Sequence, residues 1–335
     1  MTVSLRLEGK KILYIAPKFF GYENEIKQVL MHDFGADVDF YDERPSNDFW
    51  TKVFIRLKLK SLLKYKIDSY YKSIFYDIKE KTYDYIFVIS PETLSQKELV
   101  VIKNLQPHAQ FILYMWDSFK NKNSLELIPI FHKILSFDFH DAQKYSLIFY
   151  PLFYSSMYSS GNSFCTTKYD LCSIATAHSD RYRLVQKIKH ELKNKNLQLF
   201  SFMYLPSQIM YWIRKLFLKQ YEYGNVSDFS FISMSSHDIA SVMSQSHVIL
   251  DINHPAQNGL TMRTFEALGL QKKIITTNKN IKDYDFYMED NILIIDRDNP
   301  KIQEDFFTKP YTPLAQKVYE KYSLRSWIQF VFDCK

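Results

Sequence analysis

The 335-residue sequence predicts an α/β protein built as two successive parallel sheets, each with its own helices. Three observations carry this. Short runs rich in Val, Ile, Leu and aromatic residues alternate with stretches of helical spacing from end to end. The alternation pauses once, at the Ser-rich segment SSMYSSGNSF (155–164), then resumes. Hydrophobic residues make up 46% of the chain, enough for two cores at this length and too many for disorder. The expected division is a first domain over 1–157, a second over 165–310, and a helical tail over 311–335 that packs back on the first.

KILYIA (11–16) reads as a buried strand stopped by Pro17. A helix over Glu23–Asp33, closed by Gly35, leads to ADVDFYDE (36–43), where Val38 and Phe40 alternate with Asp37 and Asp39. This βαβ opening implies a parallel sheet. No GxGxxG follows the first strand, which disfavours a nicotinamide or flavin enzyme. Residues 46–80 form a long basic helical region. Phe54, Leu57, Leu62 and Tyr65 recur at helical spacing, with Lys52, Arg56, Lys58, Lys60, Lys64 and Lys66 between them. Such a helix is either a solvated cover for a sheet or an anionic-membrane contact. No nucleic-acid motif accompanies it.

A third strand spans 83–90 and a helix follows to about Asn104. The fourth strand, QFILYMWDS (110–118), delivers Trp116, Asp117 and Ser118 to its carboxyl end. The fifth, KILSFDFHD (133–141), delivers Asp138, His140 and Asp141, unless FDFHDAQKY opens a helix capped by Asp141. Ligands of open parallel sheets sit beyond the strands' carboxyl ends, so both clusters are expected to face one cleft. LIFYPLFY (147–154) is the sixth strand.

The second series begins with KYDLCSIAT (168–176), the loop AHSDR (177–181) and a helix over Ser179–Lys193. A strand at 196–205, a helix over Ser207–Tyr221 and a short strand in DFSFISM (228–234) come next. A helix starts at Ser235–Asp238. Then come a strand over His247–Ile252, a polar loop, a helix from Thr261 to Gly269, strands at 273–277 and 291–296, and a helical stretch from Thr312 to Phe332. Gly269 suits a helix C-terminus.

Net charge is +6, which permits anionic partners without demanding them. Cys165, Cys172 and Cys334 show neither CxxC nor metal spacing, as in a reducing compartment. No run approaches about 20 apolar residues, and the N-terminus lacks a signal-peptide pattern, so a cytoplasmic location is expected. DxD strings at Asp37–Asp39, Asp283–Asp285 and Asp296–Asp298 are read as chance, and no metal is assigned. No GxSxG elbow is present.

The chemistry concentrates in HVILDINHPAQNGLTMRTFEALGLQKKIITTNK (247–280). A helix N-terminus presents unpaired N–H groups and a partial positive charge, which suits a phosphate. His254, Asn258 and Thr261 occupy the loop. Arg263 and Glu266 share one helix face, read as exposed, where an arginine neutralises a diphosphate and a carboxylate accepts ribose hydroxyls. The loop after the domain's first strand adds His178, Ser179 and Arg181, or Arg183, as phosphate contacts, with Ser179 or Asp180 as helix cap. Asp117 is the candidate acceptor-side base, where partial burial suits a carboxylate to that work. His140 and Asp138 are the fallbacks.

The strand–loop–helix at 247–280 resembles the donor-binding segment of GT-B glycosyltransferases. Retaining members often carry two glutamates eight residues apart. Glu266 matches the second, whereas Asn258 stands at the first, leaving inversion or retention open. WDSFKNKNSLELIPIFHKILSFDFHDAQKY, with TMRTFEALG, KKIITTN and DYDFY, resembles the CgeB-like glycosyltransferases of bacterial surface-polysaccharide clusters. The resemblance implies two Rossmann-like domains facing across a cleft. It further implies metal-independent, cofactor-free transfer from a nucleotide-sugar donor to a capsule, O-antigen or lipooligosaccharide acceptor. That acceptor would be an oligosaccharide or a lipid-linked glycan at the inner face of the cytoplasmic membrane. The basic 49–66 segment and MYWIRKLFLK (210–219) would suit that place, and no nucleic-acid partner is expected. The rival readings are a silent GT-B-like subunit of an assembly complex, a nucleotide-sugar epimerase, and a nucleic-acid binder.

Overall fold

The computed structural model describes residues 7–56, 59–159, 166–218, 221 and 224–333. The chain divides into two compact units: Met1–Pro151 with Leu324–Lys335, and Leu152–Ser323. Each has its own sheet and core.

The first unit runs β1 (Lys11–Ala16), α1 (Tyr22–His32), β2 (Asp37–Asp42), α2 (Phe49–Arg56), α3 (Lys64–Ile78), β3 (Tyr85–Ile89), α4 (Gln96–Leu105), β4 (Gln110–Met115), β5 (Lys133–Ser136), α5 (Phe139–Lys144) and β6 (Ile148–Phe149). The second runs β7 (Tyr169–Thr176), α6 (Arg181–Lys193), β8 (Leu199–Tyr204), α7 (Gln208–Phe217), α8 (Ser236–Ser244), β9 (Ser246–Asp251), α9 (Met262–Gly269), β10 (Lys273–Thr276), β11 (Ile292–Ile294), α10 (Asp305–Thr308) and α11 (Gln316–Lys321). The last helix, α12 (Leu324–Val331), packs Leu324, Trp327, Ile328 and Val331 into the first unit.

All strand pairs are parallel. The sheets are ordered β2-β1-β3-β4-β5-β6 and β11-β10-β9-β7-β8. Counted within its own unit, the first sheet reads 2-1-3-4-5-6 and the second 2-1-3-4-5, so strand order reverses beside β1 in one and beside β7 in the other. At such a switch point the flanking loops diverge and leave a crevice beyond the strands' carboxyl ends.

Several elements differ from their expected form. The basic region 46–80 is broken by a 3₁₀ turn at Lys60–Leu63, which resets the helical phase. The core-facing stripe is therefore Ile67, Tyr71, Ile74 and Ile78, while Leu62 and Tyr65 are exposed. Leu57, Lys58 and the side chains of Lys52 and Arg56 lie outside the described residues. Of the Ser-rich segment, Ser156–Tyr158 is a 3₁₀ turn with Ser155 and Tyr158 buried, and 160–164 lies outside. Cys165, Lys219 and Cys334 also lie outside, whereas Cys172 is buried in β7 and burial pushes its thiol up to about 12. DFSFISM forms a single bridge, Tyr204 to Ser230, in place of a strand. The C-terminal helical stretch breaks between α11 and α12, where Ser323 bridges Tyr154.

Gly269 is the last helical residue of α9 rather than a left-handed cap. The left-handed position is Gln271, at φ 52°. What demands glycine is close approach: a Cβ at 269 would stand 2.4 Å from the Tyr158 carbonyl oxygen and 2.6 Å from the Tyr154 ring. Among the described residues no helix is long and apolar enough to cross a membrane.

Candidate functional site

The second unit's switch point lies between β7 and β9, and the loops leaving these strands carry most of the donor-site residues expected from sequence. Ser179 adopts φ 51°, and its hydroxyl donates to the His178 carbonyl at 2.6 Å. The His178 and His254 rings lie 5.4 Å apart. Arg181 Nε donates to the Ile252 carbonyl at 2.7 Å, tying the two loops together. Arg297, just past β11, reaches both Asp180 carboxylate oxygens at 2.9 Å and also donates to the Asn253 backbone and side-chain oxygens.

The field here is positive. Burial, then the charges of Arg181, His254 and Arg214, push the His178 imidazole down to about 3. Burial also lowers Arg181, with Arg297 and Arg263 adding to the effect and Asp251 opposing it. Both groups lose affinity for a proton first through burial and then through neighbouring cations, an environment that suits an anion.

Two helices present their N-termini to this edge, and neither carries a side-chain cap on its own N–H groups. Asp180, at the cap position of α6, is engaged by Arg297. Thr261, at the cap position of α9, turns its hydroxyl to buried Asp251 at 2.8 Å, and Thr264 donates to the same oxygen at 2.5 Å. The expected capping by Ser179 or Asp180 therefore does not occur, because stronger partners take both side chains. An N-terminus left uncapped in a cationic corner is suited to phosphate oxygens.

Glu266 differs most from expectation. Helical spacing puts it on the exposed side of its helix, but it is 3% exposed, and its carboxylate meets Arg263 Nη1 at 2.6 Å. The helix buries nearly its whole second turn, so the face that spacing marks as polar is covered. Asn258 is exposed, and its carbonyl accepts from the Asn278 and Asn280 side chains at 3.1 Å each. Arg183 is exposed on α6. Arg297, Asp251 and Arg214 were missed from sequence. The first two lie at or just past strand ends, as Asp117 does, and Arg297 stands between the two aspartates of Asp296–Asp298.

The first unit's switch point holds a pocket of about 250 Å³, lined among others by Tyr14, Phe19, Tyr22, Glu23, Trp116 and Asp117. The Trp116 ring lies 5.7 Å from Tyr22 and 6.4 Å from Phe19. Arg44 pairs with Glu92, and Lys122 Nζ lies 3.9 Å from Glu92; all three line the same pocket. Glu23, 6% exposed, accepts from the Phe19 N–H at 3.0 Å. Asp117 Oδ1 accepts from the Ser118 N–H at 2.9 Å and the Asn121 amide at 3.0 Å.

Residues 138–141 do not line this pocket. Asp138, not Asp141, caps α5, accepting from the N–H groups of His140 and Asp141 at 2.9 and 3.2 Å. The chain turns into a helix directly after β5, so this strand end is consumed by capping. Asp141 accepts from the Phe119 N–H at 2.8 Å, and burial raises its carboxyl. His140 is exposed.

No family model matches the chain, and no curated protein matches its sequence. Solved structures do. An alpha-glucosyltransferase in complex with UDP and DNA aligns with TM-score 0.61 at 11% identity, over 96% of this chain and 99% of that one. The lipopolysaccharide outer core galactosyltransferase WaaB aligns at 0.51 and 10%, over 96% and 99%. The UDP-GlcNAc 2-epimerase of Methanocaldococcus jannaschii, in complex with UDP-GlcNAc and UDP, aligns at 0.51 and 9%, over 96% and 99%. At such identities the likeness speaks for architecture, and with both sheets wound alike the chain has the GT-B fold of two Rossmann-like α/β units.

Proposed function

We propose that the protein is a glycosyltransferase that moves a sugar from a nucleotide-sugar donor to a bacterial surface-glycan acceptor. The observation that carries the donor half is the cationic corner at β7 and β9, with two uncapped helix N-termini. As the bond from the sugar's anomeric carbon to the diphosphate breaks, negative charge grows on the leaving oxygen. Fixed N–H dipoles and arginines stabilise that charge without reorganising. Arg181, Arg263 and the N-terminus of α9 would hold the diphosphate, with His178 as a neutral hydrogen-bonding group. Glu266 would act through Arg263, as the residue that positions it. In the first unit, the aromatic walls Phe19, Tyr22 and Trp116 suit the apolar face of a sugar ring, and Asp117 would accept the acceptor hydroxyl's proton. A capsule, O-antigen or lipooligosaccharide acceptor remains part of this reading on the resemblance described above.

The test is a thermal-shift panel with UDP, GDP, CMP, dTDP and their sugar conjugates, since a ligand of the native state raises its apparent stability. One nucleotide family should shift wild type, and Arg263→Ala should lose most of that shift. No shift with any nucleotide would favour a silent subunit. The epimerase reading, which the third structural likeness favours, predicts that a bound nucleotide sugar is consumed with no acceptor present.

A further inference from the structure

We infer that α7 is an interfacial helix that seats the second unit on an anionic lipid surface. In a helix covering a sheet the apolar stripe faces inward. In α7 it faces out: Ile209, Trp212, Ile213, Leu216 and Phe217 recur at i, i+3, i+4, i+7 and i+8, and are 72, 49, 43, 65 and 78% exposed. The face that packs inward carries Met210 and Tyr211, which join the second unit's core, and the two cations Arg214 and Lys215. Only Tyr211 is buried among the helix's residues. Arg214 Nη1 donates to the Ala177 carbonyl, and Lys215 Nζ to the Gly224 carbonyl at 2.7 Å. Ile232, 81% exposed, lies two residues after Ser230, whose carbonyl accepts from the Leu205 N–H shortly before the helix's start. Those bonds fix the helix's rotation, so the stripe cannot turn in without breaking them.

Charge selects the occupant. Between Glu191 and Glu222 the sequence has no Asp or Glu but five basic residues, of which Lys195 pairs with Glu191 and Lys193, Arg214, Lys215 and Lys219 have no acidic neighbour within the segment. A second copy would set like charges against each other, whereas anionic headgroups complement the flanks of a helix whose Leu, Ile, Phe and Trp enter the acyl boundary. The contact does not depend on the sugar-transfer reading, and no nucleotide is needed to test it.

The experiment is flotation of the full chain with phosphatidylglycerol-containing vesicles and with pure phosphatidylcholine vesicles, at low and high salt. The wild type should float with the anionic vesicles, less so at high salt, and hardly with the neutral ones. Leu216→Ser with Phe217→Ser should cut the bound fraction by about tenfold, the loss expected for two side chains that leave the acyl boundary. The melting temperature should stay unchanged, because both side chains are exposed. Leu216→Asp, a single change at an exposed position, should give the same loss. Vesicle binding that survives these substitutions overturns the assignment. So does a wild type that ignores anionic vesicles, including one that forms a dimer dispersed by the same substitutions.

Discussion

His178 and the Arg263–Glu266 pair show how single side chains report on their surroundings. The imidazole of His178 titrates at about 3 in the native state and at about 6.5 in an unfolded chain. Above 6.5 neither state binds the proton, and the contribution to stability is complete. As pH falls below 6.5 the unfolded chain takes up a proton that the native ring refuses. Stability then declines by up to about 1.4 kcal/mol per pH unit until about pH 3. His178→Asn should flatten this limb, read from urea midpoints at pH 7, 5.5 and 4.5; an unchanged slope would show that the ring is not held neutral. Arg263 and Glu266 have side chains 17% and 4% exposed. Glu266→Ala should therefore cost about 3 kcal/mol, because a largely buried ion pair is broken from one side. The double variant with Arg263→Ala should cost less than the sum of the two singles in the same urea titrations. Much of this corner was legible in sequence, since His178 and Arg181 lie on the loop after β7 and Thr261 at the start of α9. The pairing of Arg297 with Asp180 was not, for the two lie 117 positions apart and nothing local advertises it. The burial of Glu266 was equally hidden: helical spacing shows which residues share a face, not which face is covered.

At the scale of elements, α9 depends on how closely it is allowed to approach its neighbours. Its last residue, Gly269, leaves no room for a Cβ beside Tyr158 and Tyr154. Gly269→Ala should cost about 1–3 kcal/mol by overpacking. If the N-terminus of α9 holds phosphate, the same change should weaken nucleotide binding by shifting the helix along its axis. Denaturant midpoints and titration calorimetry on one sample separate the two effects, and intact affinity in a destabilised variant would detach α9 from the ligand. Sequence marked this glycine correctly but for a local reason. The operative reason is a contact made by a segment more than a hundred residues earlier. In 46–80, by contrast, periodicity misassigned the stripe, because a four-residue 3₁₀ turn shifts the phase without any glycine or proline to signal it.

For the whole molecule, the periodicities that located the strands carry no record of their order, so the 2-1-3-4-5 winding shared by both sheets, with a sixth strand added in the first, emerges only from the structure. Those windings put crevices beside β1 and β7. The loop after β7 is where sequence places donor contacts, whereas in the first unit the expected cleft at the ends of β4 and β5 is met only by Trp116 and Asp117, which line the pocket beside β1. The position of α12 is a long-range fact of the same kind. Its Trp327 is fully buried, 4.7 Å from the Tyr114 ring and 6.1 Å from Phe87, and Phe330 stacks on Tyr150 at 3.8 Å. The chain's last helix thus completes the core of its first unit. Trp327→Ala should remove about 3–5 kcal/mol from that unit, while the cationic corner, built wholly from the second, keeps its ligand. Calorimetric unfolding should then split into two transitions: an early one that nucleotide does not move, and a later one that it raises. If instead a single transition shifts downward and nucleotide affinity falls with it, the two cores fold as one, and donor binding depends on the first unit.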